Sequence, residues 1–157
     1  MNSKAKMGSQ TMSRLILNDI VLHEILTTSN VIAVVGHSNK PERTSYQIAQ
    51  FLRQVGYMII PVNPSVSEID GQRSYASLRD IPQPIDLVNV FRRSEYVPEI
   101  VEETIAIQAK TIWTQLGIYD APSAQKALAA GLNVVMNACI KIEYSRLRIS
   151  RSNTLLD

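Results

Sequence analysis

The strongest constraint on this chain is a recurrence of short apolar runs. VIAVVG (31–36), YMIIPV (57–62), DLVNVF (86–91), TIWTQL (111–116) and LNVVMN (132–137) are each rich in β-branched residues. Their apolar residues are largely consecutive, as in strands buried on both faces. Helical patterns lie between them. TSYQIAQFLRQVG (44–56) places Ile48, Phe51, Leu52 and Val55 inward and Gly56 at its C-cap. Residues 97–109 do the same with Ile100, Val101, Ile105 and Ala109. A further helix over 121–131 is opened by Asp120 as N-cap with Pro122 in its first turn, and is closed by Gly131. An amphipathic first helix over Leu15–Leu26 carries Leu15, Ile16, Ile20, Val21, Ile25 and Leu26 at helical spacing.

Strands alternating with helices predict an α/β fold: a Rossmann-like, three-layer, doubly wound domain around a five-stranded, mostly parallel sheet. The 157 residues are one domain's worth of chain. Residues 15–147 are expected to form the domain, with a disordered tail at 1–14 and a flexible one at 148–157. In such a sheet the ligand lies outside the carboxyl ends of the strands, where strand order reverses, expected here between the first and fourth strands.

Composition narrows the function. With 45% hydrophobic and 19% charged residues the chain is ordinary globular protein, neither disordered nor collagen-like. Cys139 is alone, which removes a disulfide framework or a multi-thiolate zinc site, and no metal is expected. No run approaches eighteen apolar residues and the N-terminal segment lacks a secretory pattern, so a cytoplasmic location without membrane contact is expected. The net charge of +2 hints at nucleic acid, but residues 16–145 carry ten basic and thirteen acidic side chains. The excess sits in the ends, and no nucleic-acid partner is expected.

Four loops meet at the predicted ligand edge. The first reads Gly36-His37-Ser38-Asn39-Lys40-Pro41-Glu42-Arg43-Thr44-Ser45. Glycine permits a sharp turn, Ser38, Thr44 and Ser45 supply hydroxyls, and the next helix offers free N–H groups at its positive end, an arrangement that binds phosphate. Lys40 and Arg43 add cations. The competing reading is a solvated loop in which Thr44 or Ser45 merely caps the helix. Strand two ends in Asn63-Pro64, as turn or ligand wall. Strand three ends in Phe91-Arg92-Arg93, where the arginines face either a ligand or the carboxylates of Glu95, Glu99 or Glu102. Strand four ends in Gln115-Leu116-Gly117. The first loop is not G-x-G-x-x-G, and no acidic residue ends strand two to hold the ribose of NAD, so a dehydrogenase is disfavoured. Several cations around a helix N-terminus suit a ligand with several phosphates, and coenzyme A carries a diphosphate and a 3′-phosphate.

These segments resemble the small stand-alone CoA-binding proteins related to the N-terminal domain of the succinyl-CoA synthetase α subunit. The resemblance runs from VIAVVGHSNKPERTSYQIAQFLRQVGYMIIPVNP through GQRSYASLRDIPQPIDLVNVFRRSEYVPEIVEE to AKTIWTQLGIYDAPSAQKALAAGLNVVMNACIKIEYSRL. It implies that Gly36, Ser38, Asn39, Lys40 and Arg43 surround the phosphates of CoA and that Asn63 and Pro64 wall the site. It further implies that Val90, Phe91 and Arg92 contact the nucleotide or the start of the pantetheine arm, over a floor of Leu116 and Gly117. The chain departs from the family pattern at Asn137, usually Asp; Ala138, usually Arg; Asn89, usually Asp; Gln108, usually Gly; and Tyr144, often His.

Catalytic groups are sparse. His23 reads as a helix-surface residue, His37 as binding or incidental, Cys139 as a small packed side chain, Trp113 and Met58 as core, and Glu102-Glu103 as a solvated face. The reading that results is a CoA or acyl-CoA binding protein without catalytic residues, acting as carrier, sensor or accessory protein, with a small-molecule nucleotide cofactor as its partner and a homodimer left open. The alternatives are an NAD(P)-binding oxidoreductase or other small Rossmann enzyme, and an interaction scaffold with a vestigial pocket.

Overall fold

A computed structural model describes residues 17–151; the predicted tail over 1–14 lies outside the described residues, as do Leu15 and Ile16 of the expected first helix and residues 152–157. Five strands form the main sheet: β1 (Val31–Val35), β2 (Met58–Val62), β5 (Leu87–Val90), β6 (Thr111–Thr114) and β7 (Asn133–Val135). Their order is β2-β1-β5-β6-β7 and every pairing is parallel. The alternation of side chains across the pleat divides the core in two. Ile32, Val34, Leu87 and Trp113 face α1 (Asp19–Thr28), α2 (Thr44–Gln54) and α5 (Ile140–Arg146). Ala33, Val35, Val88, Val90 and Ile112 face α3 (Val97–Ala106) and α4 (Ala121–Ala129). The fold is the expected Rossmann-like three-layer domain.

Strand order reverses between β1 and β5, the first and third strands of the main sheet, not between the first and fourth as expected. After β2 the chain crosses back and adds β5 directly to the free side of β1, with Ile32 opposite Leu87 and Val35 opposite Val90. The crevice of the sheet therefore opens one strand earlier than expected.

Other expectations shift locally. Helix α1 starts at Asp19 because Asn18 Oδ1 accepts from Val21 N–H at 3.0 Å and caps it. That register buries Leu22, Ile25 and Leu26 and turns Ile20 to solvent, 81% exposed. Met58, expected in the core, begins the edge strand β2 and is 54% exposed. Helix α4 opens as predicted, with Asp120 Oδ2 accepting from Ser123 N–H at 3.1 Å.

Two elements were not anticipated. Residues Glu68–Ile69 (β3) and Gln72–Arg73 (β4) form an antiparallel hairpin around Asp70-Gly71, both in the left-handed region at φ 50° and 82°. Asp-Gly flanked by strand residues is a hairpin signal that was legible in the sequence. Helix α5 buries Ile140 and Tyr144. Beyond it, the boundary expected at 147/148 falls inside packed structure. Ile149 is buried, and Arg151 donates to the carbonyls of Ser29 at 2.7 Å and Thr27 at 3.3 Å while lying 4.0 Å over the Tyr57 ring. Arg146 is tied down too, pairing with Asp19 and Glu143.

Candidate functional site

At the reversal point the carboxyl ends of β1, β2 and β5 enclose a cleft of about 700 Å³. Gly36, Ser38, Glu42, Arg43, Thr44 and Ser45 line it from one side, Asn63, Pro64 and Ser65 from a second, and Phe91 and Arg92 from a third. Gly36 is required where the loops meet. Its φ is +93°, and a Cβ there would lie 3.2 Å from the Phe91 carbonyl carbon and 3.3 Å from Arg92 Cδ.

The first loop turns into α2 without a side-chain cap. Arg43, not Thr44 or Ser45, is the N-cap residue, and it makes no capping hydrogen bond. The first-turn N–H groups of α2 are thus left to the cleft, at the positive end of the helix dipole. Ser45 Oγ instead accepts from Ser38 N–H at 2.9 Å, and Ser38 Oγ accepts from Lys40 N–H at 3.0 Å, so both hydroxyls shape the loop.

Beneath the loop lies His37, fully buried. Its Nε2 is 3.1 Å from Arg53 Nη2 and its Nδ1 is 2.8 Å from the Ser38 carbonyl. A guanidinium only donates and a carbonyl only accepts, so the proton sits on Nδ1 and the ring is neutral. Burial is the main cause that holds its pKa below the ordinary value of 6.5, and the Arg53 charge acts in the same direction. Arg53 also donates to Gln50 and to Gln72 of β4, while Tyr46 donates to Asp70, so α2 clasps the hairpin beside the loop. His37 is thereby a buried support beneath the loop and does not line the cleft.

Asn63 performs a related task. Its Nδ2 donates to the His37 carbonyl at 2.9 Å and its Oδ1 accepts from Ser65 N–H at 2.8 Å, locking the first loop to the second. A second hollow of about 730 Å³ continues past Asn63, Pro64 and Ser65, lined among others by Ser74, Arg73 and Tyr75, with the Arg73 guanidinium 4.8 Å from the Tyr75 ring centre.

The two consecutive arginines part company. Arg92 lines the cleft and lies 4.1 Å over the Tyr96 ring, whereas Arg93 is exposed and pairs with Glu95 at 3.3 Å. Of the residues the sequence singled out, Gly36, Ser38, Arg43, Asn63, Pro64, Phe91 and Arg92 line the cleft. Asn39 and Lys40 are exposed beside it. Val90 is fully buried in the core on the α3 face. Leu116 and Gly117 stand one strand beyond, Leu116 half exposed and Gly117 N–H donating to Asn137 Oδ1 at 2.6 Å. Glu42 and Ser65 were not singled out. They flank the chosen residues in the same loops, and only the curvature of those loops brings them to the cleft. Cys139 is buried at the start of α5, and His23 is exposed on α1. Among the described residues no cluster of His, Cys, Asp and Glu is suited to a metal ion, and no helix is long and apolar enough to cross a membrane.

Known proteins are similar to this chain in sequence and in fold. The chain is 42% identical over 124 residues to the uncharacterized protein YneT of Bacillus subtilis, covering 79% of this chain and 92% of that one. It is 32% identical over 73 residues to the α subunit of an ADP-forming acetate–CoA ligase II of Pyrococcus furiosus, a match covering 46% of this chain and 16% of the ligase subunit. A solved structure of a hypothetical protein from Pyrococcus horikoshii superposes with a TM-score of 0.82 at 39% identity, over 84% of this chain and 93% of that one. The model of the CoA binding domain matches residues 30–145, the span that holds every strand and the whole cleft, and on that match the chain belongs to the CoA-binding domain family.

Proposed function

We propose that this chain binds coenzyme A or an acyl-CoA in the cleft between β1 and β5, as a carrier or sensor that performs no chemistry on it. The observation that carries the reading is the uncapped N-terminus of α2 opening into the same cleft as Arg43 and Arg92. Free N–H groups, a helix dipole and two guanidinium groups together make a site for a diphosphate. The second hollow beyond Pro64 offers room for a ligand longer than a simple phosphate ester, and the carboxylate of Glu42 suits a ribose hydroxyl donor.

The non-catalytic part of the reading rests on what the titratable groups near the loop are doing. Both ring nitrogens of His37 are engaged beneath it, and Cys139 is packed at the start of a helix. The match covers 16% of the ligase subunit, and the ligase reaction is not carried over to this chain.

Calorimetric titration with CoA, acetyl-CoA and NADP tests the proposal. Saturable binding of CoA well below millimolar, with NADP weaker, is expected. No saturation at millimolar CoA, or tighter NADP binding with nicotinamide turnover, overturns it. Mass spectrometry of ligands released from freshly purified protein identifies the acyl group.

A further inference from the structure

Arg92 reaches the cleft with its hydrogen-bond donors unused. It follows Phe91 just beyond β5, and its stem passes over Gly36, where a Cβ would lie 3.3 Å from Arg92 Cδ. Among the described residues its guanidinium makes no hydrogen bond and no ion pair. It lies instead over the ring of Tyr96, with Cζ 4.1 Å from the ring centre. Arg93 stands farther from the same ring, at 5.6 Å, and is exposed and held by Glu95.

The ring of Tyr96 is itself fixed. A single 3₁₀ turn over Ser94–Tyr96 runs directly into α3, with Tyr96 N–H donating to the Arg93 carbonyl at 2.9 Å. Ser94 Oγ accepts from Tyr119 N–H at 3.0 Å, which ties that turn to the loop after β6, and the half-buried Tyr96 ring packs against the core on the α3 face. A guanidinium drawn to the face of an aromatic ring gives up none of its N–H donors. A long side chain loses rotamer freedom when it grips a ligand, and one already held over a ring has lost part of it beforehand.

We propose that Tyr96 is a positioning residue for the cleft: its ring holds the Arg92 guanidinium ready for a phosphate of the ligand, without touching the ligand itself. This rests on the CoA reading above and extends it from the groups that meet the phosphates to what keeps one of them in place.

Calorimetric titration with CoA tests it on the full chain and on Tyr96→Phe, Tyr96→Leu, Arg92→Ala and the double variant Tyr96→Leu with Arg92→Ala. Tyr96→Phe keeps the ring and is expected to bind as the parent does, whereas Tyr96→Leu is expected to bind about fivefold more weakly. In the Arg92→Ala background Tyr96→Leu is expected to cost nothing further, because the ring acts through Arg92. Unchanged affinity in Tyr96→Leu overturns the proposal. So does a loss of equal size in both backgrounds, or in Phe and Leu alike, since neither pattern comes from a ring acting through Arg92. The parent gives a second readout that needs no variant. The ring current of Tyr96 is expected to shift the Arg92 side-chain proton resonances upfield, both in the free protein and with CoA bound. Ordinary positions in either state overturn the proposal even if Tyr96→Leu fails to fold. A parent that binds CoA, with affinity lost in Arg92→Ala but not in Tyr96→Leu, refutes this inference alone. One that binds no CoA refutes the CoA reading and this with it.

Discussion

His37 Nε2 takes its hydrogen bond from Arg53, a partner that never gives up its proton, and this contact fixes the imidazole as neutral directly beneath the loop between β1 and α2. Protonating Nε2 would set two cations 3.1 Å apart in a buried space and remove the acceptor to which Arg53 donates. The other groups facing the ring are Tyr46, edge-on with ring centres 6.0 Å apart, and the carboxylate of Asp70, whose charge opposes the shift.

A pH dependence of stability follows from that neutrality. The unfolded chain protonates His37 with its ordinary pKa of 6.5, while the folded chain resists protonation. The unfolded state therefore binds more protons below that value. The contribution is intact above about pH 6.5 and is lost as pH falls through the lowered folded value. Melting temperatures between pH 7.5 and 5 should fall more steeply for the parent than for His37→Gln, which cannot protonate; parallel curves would contradict this.

Arg92 and Arg93 are adjacent in sequence but should differ in binding. Arg92→Ala removes a half-buried cation from the cleft and is expected to weaken CoA by about tenfold or more, with a shallower dependence on salt. Arg93→Ala removes an exposed partner of Glu95 and should leave affinity within about twofold. Calorimetry at two ionic strengths distinguishes the pair, and equal losses would show that the cleft is not where the phosphates bind.

Truncation after Leu147 should destabilise the domain. It removes Ile149 from the α1/α2/α5 core and Arg151 from the Tyr57 ring and the carbonyls of Thr27 and Ser29. Loss of a buried isoleucine alone costs about 2–4 kcal/mol. Urea unfolding of the truncated chain would show it, and an unchanged midpoint would place residues 148–151 outside the cooperative unit.

Gln108 ends α3 at φ 58°, a conformation in which its Cβ is strained. Gln108→Gly relieves that strain but adds backbone freedom to the unfolded chain, and the balance is a gain of about 0.5–1 kcal/mol. Chemical denaturation should show a higher midpoint at unchanged slope. The departure from the family's usual glycine at this position is thereby a matter of stability, distant from the cleft.

Much of the architecture was legible because strand and helix periodicities are local. The run VIAVVG declares a strand buried on both faces, and Asp120 with Pro122 declares a helix start, whatever lies elsewhere in the chain. The Asp70-Gly71 hairpin was equally legible. The lining of the candidate cleft was legible in part, since Gly36, Ser38, Arg43, Phe91 and Arg92 stand at the ends of strands, and strand ends converge in any parallel sheet.

What the sequence by itself determined is the alternation of strands and helices, the two-faced burial of the sheet and the stock of cationic and hydroxyl side chains at its carboxyl edge. Only the tertiary structure decided which of those groups meet. Adding β5 to the free side of β1 put the crevice between the first and third main strands, turned Arg92 in and Arg93 out, sank Val90 into the core and left Leu116 and Gly117 one strand away. Strand order, side-chain direction and the pairing of His37 with Arg53 depend on contacts between segments distant in the chain, and local periodicity carries no record of them.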